Sequence, residues 1–341
     1  MKVALDAQLS VGTATGIGEY ACGLAGALRR RGVEVLELRD SRLDPWRFDR
    51  RLLWDQAILP LRARRSGADV LHCVAGTVPW SGGLPIVVTV HDLAWHGAQR
   101  HAPSYARYYF GRFSLRRYRR AAAIVVDSNF SRQELFALMP DVDSTRVHVI
   151  YPGVAADFCD LERSTGDGLT ILAVGTIERR KNLEVLVRAL SLLKNSRLIA
   201  VGPQTPYAGE CARLAERLGL TGRIDMRGYV PRDELIGLYR TCAVAAVPSR
   251  YEGFGYAAAQ ALCAGLPCVV ADRSSLPEVA GGDARVVGVD DPEAWASALA
   301  LALTGRDDAR AAGARARARA RFSWDACARR IEAVYANSID R

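Results

Sequence analysis

The residues best suited to chemistry fall in three places along the chain. Glu252 stands directly before Gly253-Phe254-Gly255, and Gln260 follows eight positions after Glu252. Arg180 and Lys181 form a basic pair ahead of a helical pattern. His91 and Asp92 follow an apolar run at residues 85–90. A carboxylate and an amide can both hold hydroxyl groups. A guanidinium beside an ammonium suits phosphate oxygens. A histidine at a strand end can serve proton or hydrogen-bond chemistry near neutral pH, or can simply be satisfied by local hydrogen bonds.

Elements must position these side chains, and their signals are readable. Residues 243–247 are an unbroken apolar run, which predicts a buried strand. Pro248 and Ser249 end it, and Gly253 and Gly255 allow a tight turn. Residues 256–264 are Ala-rich and free of Gly and Pro, which predicts a helix. Gly265 and Pro267 stop that helix, and residues 269–271 are the next strand. The helix start gathers free amides and the positive dipole end, a setting for phosphate. Gln260 falls about two helical turns in, where it can line a groove beside the helix start. Residues 170–174 form another strand, followed by the turn bearing Arg180 and Lys181 and a helix to residue 194. Cations at a helix start oppose the dipole, so an anionic ligand explains them better than solvent does.

The first half reads in the same rhythm. Residues 2–6 are a strand, 7–18 a loop holding Gly12, Gly16 and Gly18, 19–31 a helix, and 33–38 a strand. Further buried strands are expected at 69–72, 85–90, 124–126 and 147–150. Ligands gather at the carboxyl ends of parallel strands, which places His91 and Asp92 well. Asp127-Ser128-Asn129 reads as a helix cap. A break at Tyr151-Pro152-Gly153 marks a domain boundary, and strands at 198–201, 224–230 and 286–289 continue the alternation beyond it.

Bulk properties bound the function. At 341 residues, with 50% hydrophobic and 24% charged residues, the chain fits two medium α/β domains. No apolar stretch approaches the ~20 residues of a membrane span. The eight cysteines show no CxxC pair and no zinc spacing, which suits a reducing cytoplasm. The net charge of +9 suits nucleotide phosphates, nucleic acid or an anionic membrane. Residues 104–123 mix Arg107, Arg112, Arg116, Arg117, Arg119 and Arg120 with six aromatics and contain no acid. Such a helix can lie on an anionic bilayer, or can bury its aromatics and solvate its arginines. No nucleic-acid-binding module accompanies the charge, so nucleic acid is not expected as a partner.

The stretch Glu252 to Gln260, continued by Gly265-Leu266-Pro267 and Ser274-Ser275-Leu276-Pro277-Glu278-Val279, resembles the signature of retaining glycosyltransferases of family 4. Gln260 departs from it, since a second Glu is usual there, and Arg179 stands where proline is usual. The resemblance implies a GT-B fold. Two Rossmann-like domains would face a central cleft: 1–153 for the acceptor and 154–322 for the donor, with a C-terminal helix within 323–341 crossing back to the first. It implies that Glu252 contacts donor-sugar hydroxyls and that position 260 contacts the ribose diol. A Gln there lacks charge assistance and should bind more weakly. Arg180 and Lys181 match the family's phosphate-binding pair, and the turn Gly253, Phe254, Gly255 and Tyr256 adjoins the nucleotide. The segment ending at Val230 matches the one beside the nucleobase. Thr15-Gly16-Ile17-Gly18 resembles the glycine loop that approaches the donor phosphates, and His91 the histidine near the donor sugar.

The implied activity is metal-independent, cofactor-free, retaining transfer of a hexose from a nucleotide diphosphate sugar. The acceptor would be a glycan, a lipid-linked or a small-molecule hydroxyl. The TGIGEY and GTIERRKN phrases are most similar to bacterial mannosyl- and rhamnosyl-type enzymes of polysaccharide assembly, which favours GDP-mannose, with UDP- or dTDP-hexoses next. A non-catalytic nucleotide-sugar-binding protein and a GT-B epimerase are the rival readings. The expected location is the cytoplasm, with peripheral contact to the inner face of the plasma membrane through residues 105–120.

Overall fold

The computed structural model describes residues 1–12, 16–81, 83–97, 103–164, 166–304 and 308–340, with 308–312 as backbone only. The chain forms two units. One comprises Met1–Gly153 with Ser323–Arg341, and the other Val154–Phe322.

The first unit holds six parallel strands: β1 (Lys2–Asp6), β2 (Glu34–Leu38), β3 (Val70–Cys73), β4 (Ile86–Val90), β5 (Ala123–Val126) and β6 (Val147–Val149), in the order β2-β1-β3-β4-β5-β6. Alternation within each strand splits the core between the two faces of the sheet. Val3, Leu5, Val70, Val87 and Val125 pack against Leu24, Leu28, Ile331 and Tyr335 of the helices Gly16–Arg30 and Trp324–Ile339. Ala4, Leu71, Val88, Ile124 and Val126 face the other way, toward Trp54, Leu59 and Leu135. A parallel sheet covered on both faces needs apolar residues on both faces, which is why its strands read as continuous apolar runs. The helix Trp324–Ile339 is fastened to this unit. Its Trp324 ring lies so close over Gly23 and Gly153 that a Cβ on either would clash with it. Arg31 Nε donates to Glu332 at 2.7 Å.

The second unit repeats the design with β7 (Thr170–Val174), β8 (Arg197–Val201), β9 (Ile224–Arg227), β10 (Val244–Val247), β11 (Cys268–Ala271) and β12 (Arg285–Val287). All are parallel, in the order β12-β11-β10-β7-β8-β9. The order reverses between β7 and β10. Such a switch point leaves a crevice at the strand carboxyl ends, where the flanking connections run to opposite faces.

One expectation is corrected and one element was unforeseen. The first helix begins at Gly16 and not at residue 19, so Gly16, Ile17 and Gly18 form its first turn and not a loop. Gly18 is there for packing, since a Cβ would meet the Leu9 carbonyl oxygen at 2.6 Å. The rest of the proposed glycine loop, residues 13–15, lies outside the described residues. A helical stretch from Phe48 to Arg65 was not anticipated, because its apolar face is interrupted by Arg51 and Asp55, which are buried as an ion pair.

Candidate active site

The switch point of the second sheet gathers Arg180, Lys181, Glu252 and the Gly253–Gly255 turn from among the predicted site residues. Ala245 of β10 pairs with Leu172 of β7, a register that brings Pro248 and Gly175 together just past the strand ends. Two connections leave from there. The first, after β7, turns at Gly175 (φ 139°) and runs through the short turn Arg179–Lys181 to Asn182, which adopts φ 54° before the helix Leu183–Ser191. The cations therefore precede the helix by a left-handed residue and do not sit on its first turn. Asn182 is held there by its side-chain N–H donating to the Val289 carbonyl at 2.8 Å. The second connection, after β10, carries Ser249, Arg250 and Glu252 into the Gly253–Gly255 turn and the helix Tyr256–Ala264. Gly255 takes φ 97°, which favours glycine, and the Lys181 arm lies across Gly175, its Nζ 3.5 Å from where a Cβ would be.

Glu252 joins the two connections. Its Oε1 accepts from Lys181 Nζ at 2.5 Å and from Ser249 Oγ at 2.7 Å, and its Oε2 faces Arg180 Nη1 at 3.4 Å. Its backbone is fixed as well: the Glu252 N–H donates to Ser274 Oγ at 2.9 Å, and Ser275 Oγ donates to the Glu252 and Phe254 carbonyls at 3.0 and 2.8 Å. Ser274 itself sits at φ 53°, a conformation uncommon for a residue with a side chain. Burial alone would raise the Glu252 pKa. Lys181 and then Arg180 outweigh it and hold the carboxyl below its usual range, so it is ionised at neutral pH. Arg180 also donates to Glu178 Oε1 at 2.8 Å and to the Tyr251 carbonyl at 2.9 Å. The arrangement presents cations and a carboxylate within reach of one another at the rim of a small pocket lined by Gly175, Thr176, Lys181 and Ser249. It can neutralise phosphate and accept from hydroxyls.

The remaining positions predicted for the donor in this unit are placed differently from one another. Phe254 points into the core, its ring 5.5 Å from Phe322, so its backbone and not its ring shapes the turn. Tyr256 packs edge-on to Phe254 at 5.6 Å. Gln260 is buried inside the unit, with its Oε1 accepting from the Tyr239 hydroxyl at 3.2 Å. Val230 is buried beyond β9, and the neighbouring Gly228 carbonyl accepts from Gly202 N–H at 3.1 Å, which ties this segment to the β8 turn.

In the first unit, register builds a second constellation. Val90 of β4 pairs with Val126 of β5, so His91 and Asp127 emerge side by side. His91 Nδ1 lies 2.6 Å from Asp127 Oδ2, and His91 Nε2 lies 2.8 Å from the Val74 carbonyl at the end of β3. A carbonyl can only accept, so Nε2 carries a proton, and the imidazole and Asp127 share the next one. Burial would lower the His91 pKa; the Asp127 carboxylate outweighs it and holds the imidazole above its ordinary value. Burial likewise keeps the Asp127 carboxyl above its usual range. Tyr20 stacks edge-on to the His91 ring at 4.8 Å, and its hydroxyl joins a buried chain through Thr89 and His72 to Tyr335. His72 is pushed down to about 3 by burial, so it is neutral. A cavity of about 130 Å³ opens beside His91, lined by Ile17, Gly76, Asp92, Trp95, His96 and Phe110. Gly16 and Gly18 do not line it.

Sequence reasoning missed Ser249, Ser274 and Ser275 as supports of Glu252, Glu178 as a partner of Arg180, and Asp127 as the partner of His91; within the cap read at Asp127-Ser128-Asn129 it is Ser128 that caps the helix. The phrase Ser274-Ser275-Leu276-Pro277-Glu278 was the signal for two of them. Among the described residues no group of three or more His, Cys, Asp or Glu is placed to hold a metal ion.

Two family models match the chain: "Glycosyl transferases group 1" over residues 162–319 and "Glycosyltransferase Family 4" over residues 14–158. A D-inositol 3-phosphate glycosyltransferase of Xylanimonas cellulosilytica is 31% identical, over 98% of this chain and 94% of that protein. The serotype-specific mannosyltransferase WbdA of Escherichia coli is 30% identical over 67% of this chain, which spans only 30% of WbdA. Among solved structures, sucrose-phosphate synthase from Thermosynechococcus elongatus superposes with a TM-score of 0.75 at 21% identity, covering 98% of both chains.

Proposed function

The chain belongs to the group 1 glycosyltransferases of family 4, enzymes of GT-B fold that transfer sugar from a nucleotide sugar, and from that premise we propose a retaining, metal-independent hexosyltransferase whose donor diphosphate is held at the Arg180–Lys181 turn. The observation that carries this reading is the convergence of Lys181, Arg180, Ser249 and Glu252 at the switch point of the second sheet. In this reading Arg180 and Lys181 neutralise the diphosphate and stabilise it as it leaves, by fixed charge in a partly buried setting. Glu252 orients the hexose through its hydroxyls. No side chain here is proposed as a covalent nucleophile, so the leaving phosphate assists deprotonation of the acceptor hydroxyl on the same face. His91 exchanges the Val74 carbonyl for a substrate oxygen, with Asp127 supporting its charge.

Gly16, Ile17 and Gly18 are proposed to approach the donor, Val230 to adjoin its base, and Gln260 to approach the ribose after releasing Tyr239. GDP-mannose is proposed as donor, a choice favoured by the phrases TGIGEY and GTIERRKN and by the mannosyltransferase name of WbdA; UDP- and dTDP-hexoses stand next. The acceptor is proposed to be a hydroxyl on a glycan, a lipid-linked or a small-molecule sugar. A thermal-shift panel of GDP, UDP, dTDP and ADP sugars tests the donor. Stabilisation by none of them would end the reading. Retention is read from the anomeric configuration of the product by NMR, and metal independence from unchanged turnover in EDTA. Lys181→Ala is expected to lower turnover about 100-fold, as loss of a fixed cation at a developing charge does; unchanged turnover removes the phosphate assignment.

The engagement of Gln260 by Tyr239 gives some support to a second reading, a nucleotide-sugar-binding protein without catalysis. Slow donor hydrolysis on prolonged incubation separates the two. Peripheral membrane contact in the cytoplasm is proposed for residues 105–120, supported by the exposure of Tyr105 and Tyr108 beside the arginines. Absence of co-sedimentation with anionic vesicles at low salt would end that part. Among the described residues, no helix is long and apolar enough to cross a membrane.

A further inference from the structure

Four cations stand around the proposed diphosphate site, and each already faces a carboxylate of the same unit. Arg179 meets Glu210 at 2.6 Å, Arg180 meets Glu178 at 2.8 Å, Lys181 meets Glu252 at 2.5 Å, and Arg250 meets Asp290 at 2.5 Å. The Arg179 and Arg250 pairs are exposed, local neutralisation at the unit's surface, and Arg180 and Glu178 are half-buried neighbours two residues apart in one turn. The Lys181 pair differs. Glu252 is buried, its carboxylate is delivered from the other connection, and Ser249 Oγ and Ser275 Oγ fix its oxygen and its carbonyl. Lys181 reaches it by lying across Gly175, where an added Cβ would come within 3.3 Å of the Lys181 Cε.

We propose that Glu252 occupies the place of the donor's phosphate on Lys181 when the site is empty, and that it thereby makes the enzyme prefer an intact nucleotide sugar over the nucleoside diphosphate it releases. The inference rests on the reading of this cluster as the donor site. A diphosphate takes Lys181 only by displacing the carboxylate. Glu252 is then a buried charge with its principal partner gone, an arrangement that proteins tolerate poorly. A hexose supplies hydroxyl donors that replace the ammonium on the carboxylate oxygens. A nucleoside diphosphate has no hexose to place there, and its ribose hydroxyls are directed to position 260 in this reading, so it bears the whole cost of the exchange. Glu252 is thus a specificity-determining residue that favours product release as well as a group oriented toward the sugar.

The test is calorimetric binding of inorganic pyrophosphate, GDP, UDP, GDP-mannose and UDP-glucose to the full chain and to Glu252→Gln, Glu252→Asp and Lys181→Ala. Glu252→Gln is expected to bind pyrophosphate and the preferred diphosphate about 10-fold more tightly than the parent chain, while the matching nucleotide sugar gains less or loses affinity. Glu252→Asp keeps the charge but withdraws it from Lys181. It is expected to tighten diphosphate binding as well, which simple repulsion by Glu252 would not produce. Equal diphosphate affinity in the parent chain, Glu252→Gln and Glu252→Asp, with all three still weakened by Lys181→Ala, overturns the proposal and leaves the donor site standing. Failure of the parent chain to bind any of the five ligands, or indifference of binding to Lys181→Ala, overturns the donor-site reading and the proposal together. Should Glu252→Gln fail to fold, Ser249→Ala, which loosens the carboxylate by one hydrogen bond, is expected to show the same gain at smaller size; no gain there overturns the proposal.

Discussion

His91 is the residue whose chemistry depends most on a partner that the sequence does not put beside it. Both of its ring nitrogens are engaged, one by a carboxylate and one by a carbonyl, so the ring is held with more proton than an isolated imidazole would keep. Its folded pKa is raised, and so is that of Asp127. The raised His91 value means that its ion pairing stabilises fully below the unfolded histidine value of about 6.5 and is lost as pH climbs through the raised one, whereas the raised Asp127 value, caused by burial, is a cost of ionising that carboxyl and sets in already above the ordinary carboxylate range. Asp127→Asn is therefore expected to destabilise the protein most in mildly acidic solution, with the difference from the parent chain shrinking at alkaline pH. Urea unfolding at pH 5.5 and pH 9 checks this. A penalty for Asp127→Asn that grows with pH would contradict the sign. The pairing was invisible in the sequence because it spans 36 positions and needs the β4–β5 register to exist first. The same holds for Glu252 and Lys181, 71 apart, although each was singled out by its own motif.

Strands were the most legible elements, because burial on both faces of a parallel sheet leaves little choice but Val, Ile, Leu and Ala. Helix starts were less so. The first helix carries Gly16 and Gly18 in its first turn although glycine is a poor helix former; Gly18 must pass the Leu9 carbonyl at a distance no side chain allows, whereas nothing stands near Gly16. The stretch Phe48–Arg65 hid behind Arg51 and Asp55, whose charges cancel in the interior and mimic a solvated face in the sequence. The terminal helix Trp324–Ile339 was expected, but its fit was not: Gly153 exists to admit the Trp324 ring. Gly153→Ala is expected to cost about 1–3 kcal/mol through overpacking. For a unit of this size each kcal/mol lowers the melting temperature by about 2–4 °C. Gly237→Ala is the control. It lies in the helix Arg232–Thr241 with nothing within 4 Å of an added Cβ, and is expected to leave stability unchanged or raise it by about 0.5–1 kcal/mol. Differential scanning calorimetry compares the two, and equal melting temperatures would refute the packing argument.

Across the whole chain, the two units differ in how they are sewn. Residues 154–322 are one continuous piece with their own six-stranded sheet, whereas the first unit needs Ser323–Arg341 from the far end. A fragment of residues 154–322 is expected to fold cooperatively and to bind the donor nucleotide through Lys181, measured by circular dichroism melts and calorimetry. A fragment of residues 1–153 lacks Ile331 and Tyr335 of its core and leaves His72 without its 2.6 Å partner. It is expected to be aggregation-prone, and to recover when a peptide of residues 323–341 is supplied. Solubility of the short fragment by itself would show that the returning helix is dispensable. The boundary near residue 153 was readable from the Tyr151-Pro152-Gly153 break, while the dependence on Trp324 was not, since no local pattern announces which distant sheet a helix will cover.

That sewing reverses the order of birth on the ribosome. Residues 1–153 are made before the second unit, yet their sheet face stays uncovered while residues 154–322 are made and can complete themselves. Translation must reach the final helix before Tyr335 can close over β3 and β4. A nascent chain stalled just short of that helix should thus be held by chaperones at its older end and not at its younger one.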